Sequence, residues 1–129
     1  AAFNAQELAN TVWACSTAGA GRSNRDLFEA VSAQVPNKIT TFTAQNLANT
    51  AWAFSNAGFE APLLFTAVSF EASKRMATFN AQALANTAWA FAKAGFEAPE
   101  LFQAIAAESA NNIASFNAQN LANTAWAFA

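Results

Sequence analysis

The chain has 129 residues, 54% of them hydrophobic and 11% charged, which allows a continuous core and excludes a disordered segment. Six basic against eight acidic side chains give a net charge of −2, which counts against tight, phosphate-driven nucleic-acid binding by this stretch alone. Histidine is absent, which removes the commonest general acid–base group and the commonest metal ligand together.

In chain order, the first expected element is a helix from Asn4 to about Ala18, with Asn4 as N-cap and Gln6 or Glu7 in its first turn. Gly19 is its expected C-terminal glycine. Within it Cys15 stands where later copies carry Phe54, Phe91 and Phe128, and reads as a small buried thiol. Being the single cysteine, it cannot close an intrachain disulfide. A connection at residues 20–25 follows, and Ser23, Asn24, Arg25 and Asp26 fit a capping box with Asp in place of Glu. The second helix is expected from about Asn24 to Gln34. Pro36 should stop it, with Val35 pushed out of helical geometry. Thr43 caps a third helix running to Ala57, which Gly58 ends, and Pro62 opens a fourth running to about Ala77. Asn80 to Ala94 and Pro99 to about Ala114 form the next pair. Asn117 begins a seventh helix that the chain end cuts short, and nothing strand-like lies between.

The first members of these pairs are copies of one another. Residues 79–95 read FNAQALANTAWAFAKAG, residues 42–58 FTAQNLANTAWAFSNAG and residues 116–129 FNAQNLANTAWAFA. Residues 3–19, FNAQELANTVWACSTAG, are a looser copy. Phe42, Phe79 and Phe116 are 37 residues apart, while Phe3 precedes Phe42 by 39 because the first connection is two residues longer. A fixed period of this size marks a repeat array. The expected fold is therefore all-α: a right-handed α-solenoid of helix–turn–helix repeats, about three and a half of them, forming a fragment of a longer array. Residues 1–129 are expected to be one array, with units at 3–41, 42–78, 79–115 and a partial 116–129.

At 100° per residue, the helix of the third copy has a broad apolar sector that includes Leu84, Ala88 and Phe91. A small-residue face (Ala83, Ala90 and Ala94, flanked by Thr87) lies opposite, and a narrow polar stripe runs between. Such a helix suits the middle of a stack. The second helices are simpler amphipathic covers, in which Leu27, Phe28 and Val31 correspond to Leu64, Phe65 and Val68, then to Leu101, Phe102 and Ile105.

The polar stripe is the one constellation that points to binding. It consists of Gln6, Gln45, Gln82 and Gln119, then Asn10, Asn49, Asn86 and Asn123, then the variable Thr17, Asn56 and Lys93. Trp13, Trp52, Trp89 and Trp126 follow each Asn by three residues and border the stripe. Asn is a poor helix-interior residue, so its return in every copy needs a cause. One reading is a structural ladder of amides bonded to the adjacent unit. The other is a groove in which amides and indoles meet a linear ligand, since bases stack on aromatic rings and bond to amides. The Trp residues likewise suit either packing anchors or stacking platforms. Thr11, Thr50, Thr87 and Thr124 are expected to bond back into their own helices.

No HExxH, glycine-rich phosphate loop, paired Cys or His-dependent triad is present, so no catalytic residue, metal site or cofactor is expected. Glu97 and Glu100 sit at a helix entrance, where the dipole favours negative charge. No apolar run approaches the roughly 20 residues of a membrane span, so no direct membrane insertion is expected.

The Leu-Ala-Asn-Thr-x-Trp-Ala core that starts at Leu47, Leu84 and Leu121, and more weakly at Leu8, resembles the octotricopeptide family. With its 37-residue period it resembles the related heptatricopeptide repeats more closely, over nearly the whole chain. The run of prolines followed by Glu and Trp that opens many octotricopeptide second helices is reduced here to Ala61-Pro62 and Ala98-Pro99-Glu100. The resemblance implies a helical-pair solenoid of a chloroplast or mitochondrion that binds single-stranded organellar RNA during maturation, stabilisation, translation or ribosome assembly. The alternative is an architectural protein–protein scaffold docked on a large organellar assembly, either a ribosome or a membrane-bound energy-converting complex.

Overall fold

The computed structural model describes residues 3–18 and 24–129. Gly19 and residues 20–23, with the expected C-terminal glycine and the start of the Ser23 capping box, lie outside the described residues. Seven helices follow one another among the described residues: α1 (Ala5–Thr17), α2 (Arg25–Lys38), α3 (Ala44–Ala57), α4 (Pro62–Lys74), α5 (Ala81–Ala94), α6 (Pro99–Asn111) and α7 (Ala118–Phe128). They form a helical solenoid with no strand among the described residues.

The starts of the odd-numbered helices repeat one device. Asn4, Thr43, Asn80 and Asn117 each accept a hydrogen bond from the backbone N–H three residues on. Glu7, Asn46 and Asn120 return the bond from their side chains, completing three capping boxes. Phe42 and Phe79 precede their caps and are buried, as are Leu47 and Leu84 at the staple position one turn in. Gly58 and Gly95 end α3 and α5 at φ of 71° and 68°, left-handed values that a side chain rarely adopts.

The ends of the second helices differ from expectation. Pro36 does not stop α2, which runs on to Lys38. Only one backbone bond, close to the helix end, is forfeited, and fully buried Val35 anchors the last turn. The fourth and sixth helices stop sooner than expected, at Lys74 and Asn111. Each gives way to a short 3-10 turn, Met76–Thr78 and Ile113–Ser115. The tighter turn lets Met76 bury while the chain swings toward the next cap.

The core runs lengthwise through the stack. In α5, Ala83, Thr87 and Ala90 are buried on one side and Ala81, Leu84, Ala85, Ala88 and Phe91 on the other, since α5 is held between α3 and α7. Each second helix then locks the following first helix with an aromatic cluster. Phe28 meets Phe54 edge-on at 5.0 Å, and Phe59 closes on both. Phe65, Phe91 and Phe96 repeat the arrangement one unit later. Phe102 and Phe128 make the third pair, at 5.2 Å. Cys15, in the slot of these phenylalanines, is half-buried against the core.

First helices pack far more extensively on one another than second helices do, so they form the tighter of the two layers. Leu84 is completely buried, whereas its counterpart Leu121 is 45% exposed. Replacing Leu84 by Ala should therefore cost about 2–5 kcal/mol in urea unfolding, and Leu121→Ala less than about 1 kcal/mol.

A candidate binding face on the first helices

Residues four, seven and eleven positions apart fall within about 60° on a helix. Gln82, Asn86, Trp89 and Lys93 thus form one column along α5, as do Gln45, Asn49, Trp52 and Asn56 along α3. Gln6, Asn10, Trp13 and Thr17 do so on α1, and Gln119, Asn123 and Trp126 on α7. Because neighbouring first helices pack in register, the columns assemble into rows across the stack: glutamine, asparagine, tryptophan, then the variable residue. Along the axis the tryptophans stand between Asn and the variable position, at the edge of the stripe that adjoins the apolar sector.

The tryptophan row is continuous. Ring centroids are 6.3 Å apart for Trp13 and Trp52, 5.9 Å for Trp52 and Trp89, and 6.2 Å for Trp89 and Trp126, with planes inclined by 28–37°. A base held between two rings needs about 7 Å, two carbon contacts of about 3.5 Å each. The indoles therefore cover one another's faces. Trp52 and Trp89 are half-buried, and Trp13 and Trp126 more exposed.

The amides are largely free. Gln45, Asn49, Gln82 and Asn86 surround a small cleft of about 90 Å³ between α3 and α5. No hydrogen bond joins Asn10, Asn49, Asn86 and Asn123 to one another across the repeats among the described residues. The bond that this set makes stays inside α7, where Gln119 donates to Asn123 at 3.0 Å. An amide ladder is thus not what holds the units together. The inter-repeat bond comes from the variable position instead: Asn56 Nδ2 donates to Ser16 Oγ at 2.8 Å. Lys93, its counterpart, extends over the Trp89 ring, with Nζ 5.1 Å from the centroid. Thr11, Thr87 and Thr124 bond back to the carbonyls four residues earlier, as expected, while the buried Thr50 hydroxyl has no partner.

Two wider clefts border the glutamine end of the face. One, of about 460 Å³, lies between the starts of α3 and α5 and is lined by Thr43, Gln45, Arg75, Thr78 and Asn80. The other, of about 400 Å³, is lined by Asn4, Gln6, Lys38, Thr41 and Asn46. Lys38 and Arg75 are equivalent residues, one unit apart, and put a cation beside helix N-termini that already favour anions. Glu71 partly offsets Arg75, with its carboxylate 3.1 Å from Arg75 Nε and 3.4 Å from Lys74 Nζ. Sequence reasoning missed these clefts because Lys38 and Arg75 lie outside the copied segments.

The family model described as RNA-editing substrate-binding complex 6 protein matches residues 1–129, the whole chain. No curated protein matches the sequence. Among the described residues no helix is long and apolar enough to cross a membrane, and no cluster of His, Cys, Asp and Glu could hold a metal ion.

The unequal bonding of the stripe has a measurable consequence. Asn56→Ala should lower stability by about 1 kcal/mol, the worth of one net hydrogen bond. Asn86→Ala should stay within about 0.5 kcal/mol of the parent in the same denaturation experiment. A larger loss at Asn86 would restore a structural role for the amide row.

Proposed function

The chain belongs to the RNA-editing substrate-binding complex 6 family, and from that membership and the amide–indole face we propose that it binds single-stranded RNA without catalysing a reaction. The observation that carries this reading is the in-register amide set. Four Gln–Asn–Trp columns present donors and acceptors on the first-helix layer, and the repeats do not consume them in holding together. Unpaired base edges have the matching chemistry. The indole row supplies a flat apolar floor beside them. Lys38 and Arg75 along the glutamine edge supply the contacts to phosphate that a chain of net charge −2 otherwise lacks.

In this reading the units at 3–41, 42–78, 79–115 and 116–129 act as one recognition surface of the octotricopeptide or heptatricopeptide kind. Gln6, Gln45, Gln82 and Gln119 together with Asn10, Asn49, Asn86 and Asn123 meet the bases. The location is an organelle, in keeping with the resemblance of the repeats.

One observation favours a protein partner as a second reading. Leu63 is 78% and Phe70 66% exposed, two turns apart on the outer side of α4. The equivalent positions hold Asp26 and Ala33 in α2, and Glu100 and Ala107 in α6. An apolar pair that the repeat pattern does not require suits a docked subunit.

Binding of the chain to a random single-stranded RNA pool across a salt series separates the two. RNA binding should give a slope of log affinity against log salt of about −0.7 per phosphate contact and should enrich a short sequence. Replacing Gln82 and Asn86 together by Ala should weaken the enriched sequence at least about fivefold, the low end for one base contact. Lys38→Gln and Arg75→Gln should each flatten the slope by about 0.7. No RNA retained at low salt would leave the scaffold reading.

A further inference from the structure

Among the described residues three buried hydroxyls lack a hydrogen-bond partner: Thr50, Ser55 and Ser109. Ser55 is only 5% exposed and lines a cavity of about 430 Å³ where the C-terminal ends of α3 and α5 meet. Phe54, Phe59 and Phe96 contribute apolar walls, and Glu60 and Lys93 are the charged residues lining it. A buried hydroxyl with no partner carries a desolvation cost that the fold leaves uncompensated.

The neighbouring junction explains why it is left so. Ser16 is the equivalent of Ser55, and its hydroxyl accepts the Asn56 amide at 2.8 Å. One unit later the register of Asn56 belongs to Lys93, whose ammonium lies over Trp89 instead. Ser55 is therefore orphaned by one change of residue, while the Phe-lined space beside it stays open. At the next junction the equivalent of Ser55 is Ala92, which has no hydroxyl at all. The same two positions thus carry a closed polar pair at one junction and an open one at the next, which is how a row that distinguishes successive ligand units would be built.

We infer that this cavity receives one nucleobase of the bound RNA, and that the base is guanine; the inference rests on the RNA-binding reading above. The Ser55 hydroxyl and the Lys93 ammonium are donors, matching the adjacent O6 and N7 acceptors of guanine. The Glu60 carboxylate accepts, matching the N–H groups on the neighbouring edge of the same base. Cytosine and adenine present an amino donor where guanine has O6, and so confront the ammonium with a like group. The phenyl walls bury the ring faces. Lys93 is at once a lining residue of the cavity and the cation over Trp89, so engagement of its ammonium by the base draws it off that ring. Entry of guanine is therefore coupled to a change at that indole.

The test uses the whole chain with cytidine octamers carrying one central guanosine, uridine or adenosine, followed by tryptophan fluorescence. The guanosine octamer should bind at least about fivefold tighter than the all-cytidine one and shift the emission. Lys93→Asn should abolish that preference while raising the melting temperature, because it recreates at Ser55 the bond that Asn56 makes to Ser16. Ser55→Ala should lessen the preference without loss of folding. Guanine preference that survives both substitutions would overturn the inference and leave the RNA reading standing, with the base recognised elsewhere. No binding of any octamer or of the random pool would remove both. Failure of the octamers together with Lys93-dependent binding of a phenylalanine-bearing peptide would assign the cavity to a protein side chain and overturn the inference.

Discussion

Everything on the candidate face depends on how closely the first helices approach one another. Alanine at positions 83 and 90 on one side of α5, and at 81, 85 and 88 on the other, leaves no bulk between backbones. Large aliphatic and phenyl side chains lie in the sector facing the second helices, where Leu84 and Phe91 bury completely. Close approach in a fixed register converts the repeated first-helix pattern into straight rows. If the small residues were bulkier, the helices would separate. The indoles could then no longer touch at about 6 Å.

The second constraint is the aromatic lock between units. Phe28 with Phe54 and Phe59, and Phe65 with Phe91 and Phe96, tie the second helix of one unit to the first helix of the next. These clusters bury large apolar area at the junctions, so the junctions do not need polar bonds for strength. That frees the residues on the candidate face. Asn49 and Asn86 can stay unbonded across the repeats, and the position occupied by Thr17, Asn56 and Lys93 can vary from copy to copy without unfolding the array. Apolar cohesion and the unbonded amides lie on opposite sides of the same helix.

The elements that recur were legible in the sequence because a period averages out local ambiguity. The caps at Asn4, Thr43, Asn80 and Asn117, the left-handed glycines and the stripe of Gln and Asn all follow from the spacing of identical residues. What escaped lies where copies differ or where propensity yields to packing. Pro36 was expected to end α2, yet Val35 is buried deeply enough to carry the last turn past it. The 3-10 turns after α4 and α6 have no composition signal, since a change from one hydrogen-bond period to another depends on where Met76 must reach. The placement of Trp along the edge of the stripe follows from spacings of four, three and four residues, but that the rings touch depends on the distance between helices. The bond from Asn56 to Ser16 joins different copies, and no pattern within one copy could announce it.

Net charge is a poor guide to a surface of this kind. The chain carries −2 overall, but its charges are distributed by edge: Lys38 and Arg75 sit beside helix starts, and Lys93 at the far end of its column. The N-terminal ends of the first helices add their own positive potential to the same edge as Lys38 and Arg75. Glu71 limits the gain at Arg75, because the carboxylate is buried against it and cannot be screened away by water. Under the proposed RNA-binding reading, an interface assembled this way would derive little of its affinity from counterion release and more from base edges meeting amides. Its selectivity should therefore exceed what its modest electrostatics would suggest, since base contacts specify where phosphate contacts only position.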